Sequence, residues 1–367
     1  MTLPPLSPRL RALYSAAGAR FVDVPVLHPA DPFLETAGED IRKRMFVTEG
    51  PQGERLALRP DFTIPVCLMH LAEESGPARY AYEGLVFRRH DQGSPERPET
   101  GYEDFGAADS VTADAEALAL AIACTREAAG RPLRIRLGDI GLFDALLKTL
   151  GLPGRWRRRL RRCCGLPDLM QANLARMTAS RESEDRRLDP KLRALADDRE
   201  GLLALLEERR DAHGHAEGAG RSPEEIAERF LDRRAIPDAS VAVRATETLT
   251  EYLALSSELG AAPVMLRDFA QRRGLDLGDA IDIFAQRAAA ITGLAFATKE
   301  IHFEAGFGRP LDYYTGLVFE LRAEGFSEPL VGGGRYDRMM EMLGAERPVP
   351  AVGFTMRLDL LGAEGAR

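Results

Sequence analysis

The chain has 367 residues, 45% of them hydrophobic and 29% charged, an ordinary balance for a globular protein of one large or two ordinary domains. Its formal net charge of −8 argues against broad, nonspecific binding to nucleic acid or anionic membranes. No apolar stretch suits a membrane helix or signal peptide, and four irregularly spaced cysteines fit reduced thiols in a cytoplasmic protein better than a disulfide framework or a zinc site.

Hydrophobic periodicity predicts a mixture of helices and strands in the first 152 residues. Helices are expected at residues 7–17, 61–71, 113–129 and 140–150. Strands are expected at residues 20–26, 45–47, 55–58, 78–89, 102–110 and 134–137. A polar loop rich in proline and glycine is expected to connect two of these strands at residues 91–101.

The composition changes after residue 152. Residues 153–260 are charged and predicted to be almost wholly helical, and strand patterns return at residues 300–303, 315–322 and 330–331. A strand followed by a helix is expected at residues 351–361. This order predicts an α+β fold, in which a mixed domain formed by residues 1–152 and 261–367 carries an inserted helical domain, residues 153–260.

Two segments of the first part carry polar residues that suit ligand binding. Asp61 and Thr63 follow Pro60 at an expected helix start, where their oxygen atoms can hold an ammonium group. The alternative is a capped helix start without a ligand. Arg88 ends an apolar strand, and its guanidinium suits a carboxylate or phosphate. A surface ion pair on an edge strand is the alternative there.

Two further segments lie near the end of the chain. Tyr313 and Tyr314 enter an expected strand, so their side chains should point to opposite faces, one into the core and the other toward a ligand. The three glycines at 332–334 allow the backbone to approach a ligand closely, and Arg335 is expected to begin a helix. Glycine runs are weak evidence when taken alone.

Together these segments resemble class II histidyl-tRNA synthetases. Residues 312–316, with Arg309 before them, and residues 333–337 are similar to the two histidine-specific signatures of that family. Further matches in the right order are residues 59–63 (the family's Arg-Pro-Glu-Gly-Thr), Pro25 (motif 1), residues 87–88 (motif 2) and residues 353–354 (motif 3). The resemblance implies a class II synthetase-like core, a mixed and mostly antiparallel sheet flanked by helices.

The resemblance also implies a histidine pocket. It assigns Asp61 and Thr63 to the amino group of histidine and Tyr314 to the imidazole. Arg309 and Arg335 are assigned to the carboxylate and the pocket wall. The arginine of motif 2 grips the ATP α-phosphate in a true synthetase. The predicted histidine-binding residues are Asp61, Thr63, Arg88, Asp104, Arg309, Tyr313, Tyr314 and Arg335.

Several positions depart from the synthetase pattern. Formation of an aminoacyl adenylate requires cations beside the ATP phosphates, but Leu360 replaces an arginine of motif 3. Arg357 replaces a small residue and would intrude on the nucleotide. Asp104 and Ala108 stand where the family has a glutamine and a glutamate that contact histidine. Asp109 would replace that glutamate only if the strand register slipped by one residue, which would change its face.

Smaller departures are His90 in place of a carboxylate and Pro310 in place of a glycine. Only residues 362–367 follow motif 3, so an anticodon-binding domain of roughly a hundred residues is not expected.

This combination resembles the family of ATP phosphoribosyltransferase regulatory subunits, synthetase-like proteins that do not aminoacylate. The resemblance implies a non-catalytic partner of the short-form catalytic subunit that supports the first step of histidine biosynthesis. It also implies L-histidine as the effector and a homodimer within a larger hetero-oligomer. Neither a metal nor a cofactor is implied, and no binding to membrane or nucleic acid is expected. A pocket that binds histidine but cannot activate it acts as a sensor.

Two other functions stay open. A minimal histidyl-tRNA synthetase paralogue would still activate histidine. An RNA-binding module is suggested by six arginines within residues 155–162, which can grip phosphates. The alternative for these arginines is a solvated helix whose Trp156 and Leu160 face the core.

Overall fold

The computed structural model describes residues 6–36, 39–73, 76–89, 94–178, 195, 198–212, 223–224, 226–227, 230, 237–294, 301–309, 311 and 313–364. The chain divides into two compact units: residues 1–146, 164–166 and 252–367 form the first, and residues 147–163 and 167–251 the second. In the described ranges no helix has the length and apolar character to cross a membrane. The domain limits predicted from the sequence stay a prediction.

Two sheets lie in the first unit. The strands are β1 Arg20–Phe21, β2 Leu27–Pro29, β3 Val47–Glu49, β4 Arg55–Leu58, β5 Ala78–Phe87, β6 Glu96–Phe105, β7 Leu133–Asp139, β8 Ser256–Glu258, β9 Ile301–Glu304, β10 Leu317–Ala323, β11 Val331–Arg335 and β12 Ala351–Arg357. The large sheet has the order β1-β5-β6-β12-β11-β10-β7-β9-β8, and the small one has the order β2-β4-β3. Only the pairs β1/β5 and β7/β9 of these described strands are parallel, so the predicted mixed, mostly antiparallel sheet is confirmed.

The four helices predicted in the first 152 residues are confirmed, and helices also occur in the described parts of residues 153–260, where strand β8 was not predicted. The described helices are α1 Pro8–Ala16, α2 Asp31–Thr36, α3 Glu39–Arg44, α4 Thr63–Ala72, α5 Ser110–Ala129, α6 Ile140–Thr149, α7 Gly154–Arg161, α8 Pro167–Thr178, α9 Arg199–Ala212, α10 Ala239–Leu253, α11 Ala262–Arg273, α12 Gly278–Thr292, α13 Met339–Met342 and α14 Asp359–Glu364. In α7, Trp156 and Leu160 are buried, which confirms the prediction that they face a core. The four cysteines, all within the described residues, are buried and form no disulfide bond.

Helix α5 is the long helix that packs against the large sheet. It begins where the Asp109 carboxylate accepts hydrogen bonds from the backbone N–H groups of Val111 and Thr112, at 3.0 and 3.1 Å. It ends at Gly130, whose φ of 59° is the left-handed conformation that glycine adopts without strain. These local signals fix both ends of the helix that covers one face of the sheet.

The two faces of the large sheet have different contents. On the face beneath α5, Tyr102 of β6 stacks with Phe354 of β12 at 5.9 Å, and Tyr14 of α1 stacks with Phe354 at 6.2 Å. Side chains alternate along a strand, so the neighbours Glu103 and Gly353 belong to the opposite face. That opposite face carries the candidate site.

Strand β6 differs most from the prediction, because it occupies residues 96–105 rather than 102–110. Its whole length pairs with β5 in an antiparallel hairpin, so residues predicted to form a polar loop are strand residues. Gly106, with φ of 76°, then turns the chain toward α5. The polar composition indicated a loop because these charged side chains face a cavity instead of a solvent-exposed turn.

Two other expectations were wrong in detail. Arg335 ends strand β11 instead of beginning a helix, and the next described helix begins at Met339. The strand expected at residues 20–26 has only two residues, because Arg20 and Phe21 alone pair with β5. Pro25 lies beyond this short pairing and has no N–H to extend it.

Candidate functional site

A cavity of about 230 Å³ opens on the face of the large sheet opposite α5. Its floor comes from β6, β11 and β12, and its sides come from the segments before α4 and β10. Six of the eight predicted histidine-binding residues line it, namely Asp61, Thr63, Arg88, Arg309, Tyr313 and Tyr314. Five further charged or hydroxyl-bearing residues that the sequence reasoning missed also line it, namely Arg97, Glu99, Glu103, Tyr336 and Thr355, together with Arg357, which was expected to intrude on the nucleotide position.

Glu103 lies at the bottom of this cavity. Its carboxyl group accepts hydrogen bonds from the hydroxyls of Thr63 at 2.8 Å and Tyr82 at 3.3 Å, and from the hydroxyl of Tyr336. The side chain of Glu103 is only 1% exposed, and burial raises its pKa to about 8 against the opposing effect of these hydroxyl donors. Glu103 is therefore a buried acid whose ionised form would be stabilised by any ligand group that donates a hydrogen bond to it.

Asp61 and Thr63 are positioned by the start of helix α4. An oxygen of the Asp61 carboxylate accepts the backbone N–H of Ile64 at 3.1 Å, which is the capping interaction offered as the alternative to ligand binding. Between them Phe62 stacks on Tyr82 at 4.4 Å and anchors the segment to β5. Both side chains nevertheless line the cavity, and burial raises the pKa of Asp61 although Arg88 opposes this shift.

Three tyrosines form one wall of the cavity, and we call Tyr313, Tyr314 and Tyr336 the tyrosine wall. The rings of Tyr313 and Tyr314 lie 4.8 Å apart, and that of Tyr336 meets Tyr313 edge-on at 5.8 Å. The prediction that Tyr313 and Tyr314 point to opposite faces was wrong, because strand β10 begins only at Leu317 and strand alternation does not reach them. Burial raises the pKa of all three hydroxyls.

The Arg309 guanidinium lies against strand β11 at Gly332. A side chain at residue 332 would collide with the Arg309 guanidinium, so Gly332 leaves room for it. The Nε group of Arg309 is buried and has no hydrogen-bond acceptor among the residues that the structure describes. A ligand acceptor would satisfy this donor.

More arginines line the cavity away from Glu103, toward the end of β6 where Glu99 pairs in register with Arg357. Arg88 donates through Nε to the carbonyl of Pro60 at 2.6 Å. Arg357 is held by the Asp359 carboxylate, with Nη2 to Oδ2 at 2.7 Å, and by Glu328. Burial lowers the pKa of Arg97, and repulsion by the positive charge of Arg357 lowers it further. The cavity thus has a carboxyl and hydroxyl side and a guanidinium side.

Glu99 lines the cavity beside these arginines. It is paired in register with Arg357 across β6 and β12 and is 3% exposed. Burial raises its pKa, and Arg88 opposes the shift. Glu99 therefore places an acid beside the guanidinium groups at this part of the cavity.

Asp104 and Arg335 are not cavity residues, so these two predictions of position were wrong. Asp104 neighbours Glu103 on β6 and points to the α5 side, where its Oδ2 lies 3.0 Å from Nε of Arg79. Arg335 precedes Tyr336 and likewise points to the α5 side, where Nε donates to Asp114 at 2.8 Å. In both cases side chains alternate between the two faces of the sheet, so the neighbouring residue, Glu103 or Tyr336, lines the cavity instead.

Asp109 does not reach the cavity either. Its carboxylate caps α5 and is exposed, and strand β6 has ended at Phe105, so no slip of register brings Asp109 or Ala108 into the cavity lining. His90, Pro310 and Asp312, which carried further expectations, lie outside the described residues.

A usable signal for the missed residues was the spacing of Glu99, Gly101 and Glu103. Acids at alternate positions, with a glycine between them, fit one face of a strand that approaches another group closely. A side chain at residue 101 would strike the Tyr82 hydroxyl, and one at Gly353 would strike Glu103. The glycines mark where the cavity comes closest to the sheet.

The fold is shared with histidyl-tRNA synthetases. The sequence profile described as histidyl-tRNA synthetase matches residues 4–221 and 214–361. A crystal structure titled as an ATP phosphoribosyltransferase regulatory subunit/histidyl-tRNA synthetase from Bacillus halodurans superposes with a TM-score of 0.61 at 22% identity, covering 96% of this chain and 76% of that one. Histidyl-tRNA synthetase from Nostoc sp. gives 0.62 at 14% identity, covering 96% and 69%. The predicted class II synthetase-like core is confirmed.

Curated relatives narrow the family. ATP phosphoribosyltransferase regulatory subunits from Chelativorans sp. and Brucella anthropi are 43% and 44% identical, over 97% and 96% of this chain and 96% and 95% of theirs. The one from Allorhizobium ampelinum is 43% identical over 100% of this chain and 99% of its own. The chain belongs to the family of ATP phosphoribosyltransferase regulatory subunits, as its motifs predicted.

Proposed function

We propose that this chain is a non-catalytic regulatory subunit of ATP phosphoribosyltransferase and that its cavity binds L-histidine. The observation that carries the histidine assignment is the division of one small cavity into a carboxyl and hydroxyl side and a guanidinium side. A free amino acid with a cationic or N–H-bearing side chain matches such a division. The names of the relatives support the regulatory role and the partner enzyme.

The carboxyl and hydroxyl side suits the nitrogen atoms of histidine. Within the described part of the chain, the Glu103 carboxyl accepts hydrogen bonds from hydroxyl groups and not from guanidinium groups. An imidazole N–H or an ammonium group that donates to Glu103 favours the ionised carboxylate. We therefore expect histidine binding to lower the pKa of Glu103 and to release a proton near neutral pH. Asp61 and Thr63, at the rim of the same side, supply further acceptors.

The guanidinium side suits the carboxylate of histidine. The unsatisfied Nε of Arg309 and the fork of Arg88 face the cavity from different elements, and both are donors of the kind that carboxylates accept in pairs. The cavity of about 230 Å³ is below the range of about 300–1,000 Å³ of drug-sized ligand sites. It suits one amino acid better than an amino acid and a nucleotide together.

The guanidinium side also supports the absence of histidine activation. Arg357 is occupied by Asp359 and Glu328, and the apolar Leu360 offers no cation to a triphosphate. Activation needs free positive charge where phosphate charge develops. The test is histidine-dependent exchange of pyrophosphate into ATP, for which we expect background rates. Robust exchange would instead support a minimal synthetase.

Calorimetric titration of the purified chain with L-histidine tests the cavity assignment. We expect one site per chain, heat that depends on the ionisation enthalpy of the buffer because a proton is released, and no binding of leucine. Titration of Glu103→Gln should show weaker binding with no such buffer dependence. Absence of binding by the wild-type chain would refute the histidine assignment.

Co-expression with a short-form ATP phosphoribosyltransferase catalytic subunit tests the regulatory role. We expect a hetero-oligomer that contains a homodimer of this chain, higher catalytic activity, and inhibition by histidine that Glu103→Gln weakens. Mass photometry gives the stoichiometry. If no complex forms and catalysis by the partner is unchanged, the regulatory role is refuted even when histidine binds. A cytoplasmic location, as expected from the sequence, accords with this biosynthetic role.

A further inference from the structure

Four charged side chains form a buried cluster on the face of the sheet opposite the cavity. Arg335 of β11 lies with Nε 2.8 Å from Oδ1 of Asp114 in α5, and Arg287 of α12 lies with Nε 2.8 Å from Oδ2 of the same carboxylate. Nη1 of Arg287 also reaches Asp139 of β7 at 3.0 Å. These four side chains, which we call the ion cluster, are each less than a tenth exposed and join four secondary-structure elements.

One end of the ion cluster is attached to the tyrosine wall. Arg335 and Tyr336 are neighbours that point to opposite faces, so the backbone that holds Arg335 also holds the tyrosine that bonds to Glu103. The carbonyl of Arg335 accepts the N–H of Thr315 at 2.8 Å, and Thr315 directly follows Tyr314.

Asp337 provides a second link between Arg335 and Thr315. It accepts from Nη1 of Arg335 at 2.7 Å, while its backbone N–H donates to the hydroxyl of Thr315 at 3.1 Å. All three members of the tyrosine wall therefore lie within two residues of Arg335 or Thr315. A shift of the tyrosine wall is therefore expected to shift Arg335 as well.

The other end of the ion cluster is helix α12. Arg287 is the residue of α12 that reaches both buried carboxylates, and Asp139 in turn accepts the N–H of Leu142 at the start of α6. Buried charges that lose a partner are strongly penalised, so the members of the cluster are expected to move together. Through Arg287, a displacement of the wall becomes a displacement of α12.

We propose that the ion cluster transmits occupancy of the cavity to helix α12, so that Arg287 is a positioning residue for the response to ligand and not for ligand binding itself. The inference rests on the proposed binding of histidine. A ligand biases such an element only if it interacts differently with its two arrangements. Contact with the tyrosine hydroxyls supplies that difference, because the wall is the part of the cavity fixed to the cluster.

Hydrogen–deuterium exchange of the full-length chain, with and without saturating L-histidine, tests this coupling. In the wild-type chain we expect histidine to slow exchange several-fold in α12 as well as around the cavity. Arg287→Gln should keep its histidine affinity within about twofold by calorimetry and lose the slowing in α12. Arg287→Lys, which keeps the charge, should retain part of it.

Arg267→Gln is the matched control. Arg267 of α11 makes an exposed ion pair with Asp282 of α12 at 2.9 Å, so its loss removes an arginine contact to the same helix from outside the cluster. The histidine response of α12 should persist in this variant. If Arg287→Gln does not fold, Thr315→Val removes the hydroxyl that accepts from Asp337 and leaves only the backbone link between Thr315 and Arg335. This variant should weaken the α12 response while binding persists.

The outcomes separate the inference from the proposed function. Histidine binding without slower exchange in α12, or an unchanged α12 response in Arg287→Gln or Thr315→Val, overturns the coupling and leaves the histidine site intact. Loss of the response in Arg267→Gln also overturns it, because the cluster would then not be the route. Failure of the wild-type chain to bind histidine overturns both.

Discussion

Arg335, the last residue of strand β11, and Tyr336, which directly follows it, have opposite surroundings. Tyr336 faces the cavity and donates to Glu103, a carboxyl whose partners are hydroxyl groups. Arg335 faces α5 and lies between two carboxylates, those of Asp114 and Asp337. On the cavity face the buried acid Glu103 has hydroxyl partners, whereas on the α5 face the buried acid Asp114 lies against the guanidinium groups of Arg335 and Arg287.

This difference distinguishes binding groups from structural ones. On the α5 side, two guanidiniums counter the effect of burial on Asp114, and its pKa is still raised to about 6. On the cavity side, hydroxyls oppose burial less effectively, and the pKa of Glu103 reaches about 8. Glu103 has no guanidinium among the hydrogen-bond partners described above, so a cationic ligand group can take that place. Asp114 already has two guanidinium groups beside it.

The largest effect is expected on the α5 side. Asp114→Ala leaves Arg335 and Arg287 buried without their shared carboxylate, which should cost about 3–5 kcal/mol of unfolding free energy. Urea denaturation at neutral pH measures this loss. Asp109→Ala, which removes the exposed cap of the same helix, should cost only about 1 kcal/mol. Equal losses in the two variants would contradict the structural role of the cluster.

Glu103→Gln is expected to change the pH dependence of stability on the cavity side. Since burial raises the pKa of Glu103 from 4.5 to about 8, the folded chain keeps a proton that the unfolded chain loses between these values. Stability therefore falls as pH rises through this window, by up to about 1.4 kcal/mol per pH unit from this group. Glu103→Gln lacks this pH-dependent loss. Its free energy of unfolding should therefore rise relative to that of the wild-type chain as the pH increases to about 8.

Denaturation of both chains between pH 5 and pH 9 checks this, and the difference between them isolates Glu103 from the other acids. Glu116→Gln, which removes an exposed carboxylate paired with Arg79, is the control and should follow the wild-type curve closely. A constant difference across the window would show that Glu103 is ionised throughout.

Substitutions on the two faces of the sheet should differ more in their effect on histidine affinity than in their effect on stability. Asp61→Ala removes a cavity carboxylate and should weaken histidine binding by about 1.5–3 kcal/mol, roughly ten- to a hundredfold, without unfolding the chain. Asp104→Asn, on the α5 side, should leave the affinity unchanged. Calorimetry on both variants gives the comparison. An equal loss from Asp104→Asn would place the site elsewhere.

The smallest expected effect comes from a single hydroxyl of the tyrosine wall. Tyr314→Phe keeps the ring and removes one neutral hydrogen-bonding group, so histidine binding should weaken by about 0.5–1.5 kcal/mol, a few-fold to roughly tenfold. The same titration measures it, and circular dichroism checks the fold. Unchanged affinity would assign the tyrosine wall to structure alone.

Much of the fold could be predicted from local patterns. Helix α5 has its apolar period, its Asp109 cap and its terminal Gly130 within one stretch of sequence, and it occurs where expected. The hairpin of β3 and β4 is equally local. These elements were predictable because the interactions that define them join residues close in the chain.

The site was predictable only in part. Asp61, Thr63, Arg88, Arg309, Tyr313 and Tyr314 line the cavity as expected. The error at β6 arose because its register is set by pairing with β5 and β12 and not by its own composition. A shift by one residue exchanges the faces of a strand, so Asp104, which was assigned from the resemblance, lies on the α5 side while its neighbour Glu103 lines the cavity.

The sequence by itself determined the class of fold, the family and the segments that supply the cavity, because order and local motif are properties of the chain. The tertiary structure decided which member of each neighbouring pair reaches the cavity: Glu103 over Asp104, and Tyr336 over Arg335. It also decided the protonation of Glu103, which depends on how far burial outweighs three hydroxyl donors from distant segments. Both outcomes depend on contacts between residues far apart in sequence, which local patterns do not encode.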